Sequence, residues 1–506
     1  MTSLQKRPLR VQVVNQFGQR QSLNPGFDQH VVLPGENGLL LLGLGPSPAA
    51  LAQALSGQSP TAYLEAPDFA RQMPPSWFEN IPKHWQPVFP GELHESGLLR
   101  RRVLFYRPNL RLFPDFWSPI LAAKNLEGVP PPRPNDKKNV WIPTSAKGLL
   151  ATELTAAFAS AGLVVEALPS DLSPTTLAER LRVHRPDLFF CINFQGLDPF
   201  GQNFSALSHL GVPVAVWCVD NPFHLLLALK STFWRRCKLF VTDDWFIRPL
   251  REHGAEHVFH LPLAVDPIRF QPRGIVQDAD LAHRIVFVGR SSFPDKNAFF
   301  VGCTVPGELM AEATAMLAQG RRPDYSWWWA RLGKTRLWPD QSARQPGFAA
   351  EQCSLLWRTA GLNAAAHISR LAVYGDPGWR SMLSADVELR PEVDYYGPLP
   401  EIYHQARYTL NLTSLLLPHG LTQRHFDVWT AGGFLLTDAT PGLDIFDRDL
   451  AHETTFASPK ELPQLVQRLE REQGLVAQLR TAWRAHILEK HTYNQRVENI
   501  FKAIVI

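Results

Sequence analysis

The chain has 506 residues, more than the roughly 250–300 at which a single hydrophobic core stops growing, so two or three domains are expected. Apolar residues make up 45% and charged ones 19%, an ordinary globular mix, and a net charge of only +4 excludes a chain built to grip nucleic acid or an acidic membrane surface. The five cysteines form no CxxC pair and no HExxH occurs, which leaves a zinc site without support and fits a reducing compartment.

The first segment, residues 1–136, opens without the apolar run of a secretory leader. Its stretch GLLLLGLGPSPAALAQAL followed by TAYLEAP places Glu65 about twenty residues past Gly43 and Gly45, the spacing of a dinucleotide or adenosylmethionine fingerprint. The third glycine is missing and Pro46 and Pro48 occupy the turn. A degenerate α/β region that contacts a partner or acceptor is the competing reading. The segment ends in GVPPPRPNDKK, a linker stiffened by proline with nothing to bury.

Residues 137–283 alternate strand and helix. NVWIP, LVVEAL, DLFFCINF, VPVAVWCVD and KLFVTDD read as strands, and LLATELTAAFASAG and TLAERLRVH as helices, with a further helix within 201–210. Near-continuous apolar strands between helices mark a parallel sheet covered on both faces. The turn Thr144-Ser145-Ala146-Lys147-Gly148 lacks the glycine spacing that wraps a phosphate and is read as a helix start. Asp220, in Val219-Asp220-Asn221-Pro222, ends an apolar strand and fits either a base in a cleft or a turn former; His224 is a lesser base candidate. Asp243-Asp244 reads as a strand end with a helix cap, not a metal-binding pair.

Residues 284–485 begin with the strand RIVFVG, then a helical region rich in tryptophan (about 295–370). Of Trp327, Trp328 and Trp329, at least one must leave the core. The alternation resumes with LAVYG, VDYYG, the helix PEIYHQA, YTLNLTS, the helix TQRHFDVWTAG and GFLLTD. A closing helix occupies 486–506. No stretch approaches the ~20 apolar residues needed to cross a bilayer, so a cytoplasmic chain, or one peripheral to the inner face of the membrane, is expected.

The chemistry concentrates in LNLTSLLLPHGLTQRHFDVWTAGGFLLTD, residues 410–438. A buried strand leads through a loop to a helix that Thr422 is placed to cap. A helix start beyond the carboxyl end of a parallel strand favours an anion, a diphosphate among them. Arg424 adds a fixed positive fork, and Asp427, three residues on, lies on the same face with a carboxylate for ribose hydroxyls. On spacing alone an ordinary surface Arg–Asp pair explains the same residues.

Here a resemblance enters. QRHFDVWTAGGFLLTDATPGLDIF resembles the donor-domain signature of CgeB-like glycosyltransferases of GT-B architecture, and HRPDLFFCINFQGLDP, VPVAVWCVDNPF, HLPLAVDPIRFQP, VFVG, VYGDPGW, YYGPLP and HTYNQR match that family's pattern in order over roughly residues 138–501. The resemblance implies an α/β fold of two facing Rossmann-like domains, with residues 1–136 as an N-terminal α/β accessory region. It implies a nucleoside-diphosphate sugar bound by the C-terminal domain, a glycan or protein acceptor on the other side, no metal and no other cofactor. By position, Asp427 matches the acid set against the ribose, where many relatives carry Glu, and Arg424 the basic position before it. Tyr396, Gly397, Pro398 and Leu399 match the loop beside the nucleobase. Gly289, Arg290 and Lys296 match, loosely, a glycine and basic residues near the phosphates. Gly432-Gly433 end the helix and admit a tight turn. Two rivals stand beside this reading: an adenosylmethionine or dinucleotide enzyme centred on Gly43, Gly45 and Glu65, and a binding protein that keeps the glycosyltransferase shape without turnover.

Overall fold

The computed structural model describes residues 10–504 apart from 25, 57–60, 130–137, 146–147, 275–277 and 340. Lys147 and most of the proline-rich linker therefore lie outside the described residues.

Three α/β units follow one another. The first carries a five-stranded sheet in which His30–Leu33 runs antiparallel at one edge and Arg101–Tyr106, Glu36–Leu42, Ala62–Leu64 and Gln86–Pro87 are parallel. It has its own core, built on Leu40, Leu42, Phe69, Tyr106 and Trp117.

The second is a six-stranded parallel sheet, ordered His257–His260, Lys238–Val241, Val214–Cys218, Leu188–Ile192, Asn139–Thr144, Val164–Pro169. Every residue of Leu188–Ile192 and Val214–Cys218 is buried, which explains their unbroken apolar character.

The third is also six-stranded and parallel, in the order Glu388–Arg390, Arg370–Tyr374, Arg284–Val288, Tyr408–Asn411, Leu435–Asp438, Thr455–Phe456. In chain order that is 3-2-1-4-5-6, the doubly wound arrangement whose direction of winding reverses between Arg284–Val288 and Tyr408–Asn411. The tryptophan-rich region forms Gly307–Ala318, Tyr325–Arg331 and the long Arg344–Ile368, with Trp328 and Trp357 buried and Trp327 and Trp329 half-buried. VDYYG is a turn; the sheet's outer strand is Glu388–Arg390 instead.

The second and third units face each other in a GT-B-like arrangement, with the first as an α/β appendage. The final helix, Tyr493–Ile504, returns to the second unit, where Tyr493, Val497 and Ile500 join the core of Leu154, Phe158 and Phe190. No described helix is long and apolar enough to cross a membrane.

Candidate active site

Arg424 opens the helix Arg424–Thr430 and lies at the point where the third sheet reverses its winding. Its Nη1 donates to the Val288 carbonyl at 2.6 Å and its Nε to Asn411 Oδ1 at 2.7 Å. One guanidinium thus joins the carboxyl ends of both strands that flank the switch point. The ring of Phe287 lies 5.6 Å from its carbon, and burial pushes its pKa down. Gly289 follows directly; a Cβ there would stand 3.2 Å from the Phe287 ring and 3.7 Å from Arg424 Nη1. The bare glycine keeps that space open.

One further cation reaches the loop 289–292, and a third is joined to it through Glu351. Arg358, from the long helix Arg344–Ile368, donates to the carbonyls of Arg290 at 2.8 Å and Ser291 at 2.9 Å. Burial and the neighbouring Arg424 hold its pKa below the usual range, against the pull of Glu351. Lys296 lies 3.6 Å from the buried Glu351, and its side chain is 13% exposed, so it does not simply face solvent. The carboxylate of Asp376 accepts from the backbone and hydroxyl of Ser291, both at 2.7 Å. Lys296, Arg358 and Arg424 against Glu351 and Asp376 leave a positive excess at the end of the first strand. Arg358 was not signalled by any motif, because its helix lies in the tryptophan-rich region, remote in sequence from the strand it serves.

Arg290, by contrast, is exposed and divides itself between Glu392 at 2.7 Å, Asp376 at 3.9 Å and the Ser292 carbonyl at 3.4 Å. Thr422 does not cap the helix: its hydroxyl donates to Asn411 Oδ1 at 2.8 Å, the residue at the cap is Gln423, and no side chain caps the turn. The reason is local, since the His425 ring takes the Thr422 N–H at 3.0 Å and turns the loop over. Asp427 shares the helix with Arg424 but is only 1% exposed. Its carboxylate accepts from the Tyr395 hydroxyl at 2.9 Å and the Gln423 amide at 3.3 Å, and burial raises its pKa well above the carboxylate range. In this conformation the Tyr395 hydroxyl occupies the place a ribose hydroxyl was expected to take. Gly397 closes the turn beneath Asp394, Pro398 caps the helix Leu399–Gln405, and Leu399 is buried in the core. Gly432, at φ 77°, ends the Arg424–Thr430 helix as its motif predicts.

The second unit closes the cleft from the other side. Tyr396 donates its hydroxyl to the buried Glu153 at 2.9 Å, and Gln423 donates to the Ala264 carbonyl at 2.5 Å. Asn221 donates to the Leu416 carbonyl at 2.9 Å. Asp243 caps the next turn by accepting from the Trp245 N–H at 2.9 Å, and also takes the His419 N–H at 2.9 Å; Asp244 meets the His419 ring at 2.7 Å. These three side chains bring one donor atom each within 4.8 Å of one another, a set able to hold a metal ion, and here they tie the two units together by hydrogen bonds.

Asp220 lies two residues past Val214–Cys218, beyond the carboxyl end of that strand of the second sheet. It is exposed, and Asn193 donates to its Oδ2 at 2.7 Å. Desolvation pushes its pKa up while the Asn193 bond works the other way. His224 is no base in this setting: it is wedged against Gly347 and the rings of Phe299 and Tyr325, and burial pushes its pKa down to about 4.

The glycine turn of the first unit is filled by its own side chains. Tyr106 packs on Gly45, Trp77 donates to the Gly45 carbonyl at 2.9 Å, and Glu65 accepts from the Leu44 and Ala66 N–H groups at 2.8 and 2.9 Å and from Asn109 at 3.1 Å. The acid that a ribose would need is turned into its own loop.

Residues 355–502, which contain Arg358, Arg424 and Asp427, match a family described as glycosyl transferase-like. No curated protein matches the chain. Similar solved structures include HepE of Anabaena in complex with UDP-glucose (10% identity, 73% of this chain and 99% of that one, TM-score 0.42). The T4 phage β-glucosyltransferase gives 10%, 73% and 100%, with a TM-score of 0.39. An α,α-trehalose-phosphate synthase (UDP-forming) from Burkholderia vietnamiensis gives 12%, 73% and 99%, with a TM-score of 0.41. Residues 355–502 of the chain are thus similar to a glycosyl transferase-like family.

Proposed function

We propose that the chain is a glycosyltransferase that moves a sugar from a nucleoside-diphosphate donor to a glycan or protein acceptor, without a bound metal. The observation that carries this reading is the cation cluster at the switch point. Arg424 and Arg358 bind the carboxyl end of Arg284–Val288 and the loop after it, where an open parallel sheet binds ligands, and Lys296 joins Arg358 through Glu351. Fixed guanidinium groups in a desolvated cleft stabilise the charge that develops on a departing diphosphate, and so lower the barrier to transfer more than they tighten binding of the intact donor. The nucleoside lies along 396–399, and Asp427 takes its ribose once the Tyr395 hydroxyl moves aside. Asp220 faces the acceptor.

The test is a thermal-shift panel of UDP-glucose, UDP-N-acetylglucosamine, GDP-mannose and adenosylmethionine on the intact chain and on Arg358→Ala. A ligand at a hundredfold excess over its Kd raises stability by about 2.7 kcal/mol. One sugar nucleotide is expected to shift the wild type and not the variant. A shift from adenosylmethionine alone contradicts the reading.

A further inference from the structure

The second sheet carries an unusual turn at its own reversal of winding, between Asn139–Thr144 and Leu188–Ile192. Directly after Leu188–Ile192, Asn193 and Phe194 both adopt left-handed backbone conformations, with φ of 50° and 63°. Two successive residues with side chains in that region are disfavoured, and such turns persist where the surrounding structure enforces them. Asparagine tolerates it best among residues with a side chain, and here its amide has a defined task. Its Oδ1 accepts from the Val219 N–H at 3.0 Å, and its nitrogen donates to Asp220 Oδ2 at 2.7 Å. The backbone N–H of Asn193 is itself fixed by the Trp217 carbonyl at 3.0 Å. One side chain therefore locks the loop that begins at Val219 and orients the carboxylate at its tip.

Resting on the glycosyltransferase reading, we infer that Asn193 is a positioning residue that holds Asp220 as the base of an inverting transfer. The acceptor O–H proton passes to the Asp220 carboxylate while the acceptor oxygen bonds to the anomeric carbon. The bond from that carbon to the donor phosphate oxygen breaks, and its electron pair leaves with the diphosphate. Attack opposite the leaving group inverts the anomeric centre. Desolvation pushes the Asp220 pKa up, and the Asn193 amide limits that rise. The titratable neighbour that senses it is the buried Cys218 thiol on the same strand, and the adjoining Asn221 is neutral.

The test follows hydrolysis, with water as acceptor, of UDP-glucose, UDP-N-acetylglucosamine and GDP-mannose, whichever shifts the melting of the wild type. Proton NMR of the released sugar is read across pH for wild type, Asn193→Gly and Asp220→Asn. Glycine keeps the left-handed backbone and removes only the amide. The first sugar to appear is expected in the inverted configuration. Asp220→Asn loses at least about a hundredfold in rate. Asn193→Gly loses about tenfold, with the acid limb of its pH profile moved to higher pH, and all three proteins bind the donor equally. Retention of configuration, a bound donor that never hydrolyses, or an Asn193→Gly profile that superimposes on the wild type overturns the inference alone. If no sugar nucleotide binds even the wild type, the glycosyltransferase reading fails and the inference falls with it.

Discussion

Arg424 donates to Asn411 across 2.7 Å, and the same guanidinium holds the Val288 carbonyl at 2.6 Å. That bridge pins the two strands between which a doubly wound sheet opens. Replacing Arg424 by Lys keeps a charge but not the planar fork. Arg424→Lys is expected to cost about 1–3 kcal/mol of stability, because the Val288 carbonyl loses its donor and the buried Asn411 amide oxygen keeps only the Thr422 hydroxyl. Chemical denaturation with an unchanged m-value checks it, and donor affinity is expected to fall by at least tenfold.

Tyr396 stands at the seam between the two facing units. Its hydroxyl is bonded to Glu153, which is 3% exposed and held above its usual pKa by burial. Tyr396→Phe leaves that carboxylate without its donor, at a cost of about 1–3 kcal/mol. The effect is expected mainly in donor affinity, because the contact crosses the cleft and not a domain core. A melting temperature that falls by about ten degrees with donor affinity unchanged contradicts it.

The His419–Asp244 contact gives a pH dependence with a definite sign. The Asp244 hydrogen bond raises the His419 pKa above its usual ~6.5, and the His419 bond lowers Asp244 below its usual ~4. The His419 contribution is fully present below about pH 6.5 and is lost as pH rises through its raised value. The Asp244 contribution is present above about pH 4 and is lost as pH falls through its depressed value. Asp243, pushed up to about 7 by burial, costs stability as pH rises from about 4 to 7, a cost carried by wild type and His419→Gln alike. The stability difference between wild type and His419→Gln is therefore expected to be largest near pH 5–6 and to shrink by about pH 8. Both side chains are partly exposed, so the peak difference is about 1 kcal/mol or less.

At Asp438 the largest loss of stability is expected. It is wholly buried, pairs with Arg322, and accepts from the Trp357 indole at 2.8 Å and from the Thr413 N–H and hydroxyl, both at 2.9 Å. Asp438→Asn leaves Arg322 uncompensated and is expected to destabilise the chain by about 3–5 kcal/mol, measured by urea unfolding.

Much of the fold was legible because parallel strands covered on both faces carry unbroken apolar runs. DLFFCINF, VPVAVWCVD, RIVFVG and GFLLTD all became strands at the expected places. VDYYG read as the next step in that alternation, yet its tyrosines are used for the cleft: Tyr395 bonds Asp427 and Tyr396 bonds Glu153. Glycine turns were equally clear at Gly432 and misleading at Gly43 and Gly45, where Tyr106 and Trp77 fill the space a ligand would need. The helix bearing Arg424 and Asp427 was found, but its cap was not, because the His425 ring competes for the Thr422 backbone. Arg358 and Asn193 had no local signal. One acts from a helix in the tryptophan-rich region and the other through a left-handed turn, and only the assembled sheets bring them to their partners.

The cations at the reversal of the third sheet are expected to hold a nucleoside diphosphate. Titration calorimetry of UDP and GDP into the intact chain, into Arg358→Ala and into Glu65→Gln tests this most directly. One nucleotide is expected to bind the wild type and Glu65→Gln alike and to lose at least tenfold in affinity for Arg358→Ala while that variant stays folded. Binding that survives Arg358→Ala unchanged, or that disappears only in Glu65→Gln, would place the nucleotide elsewhere and contradict the account.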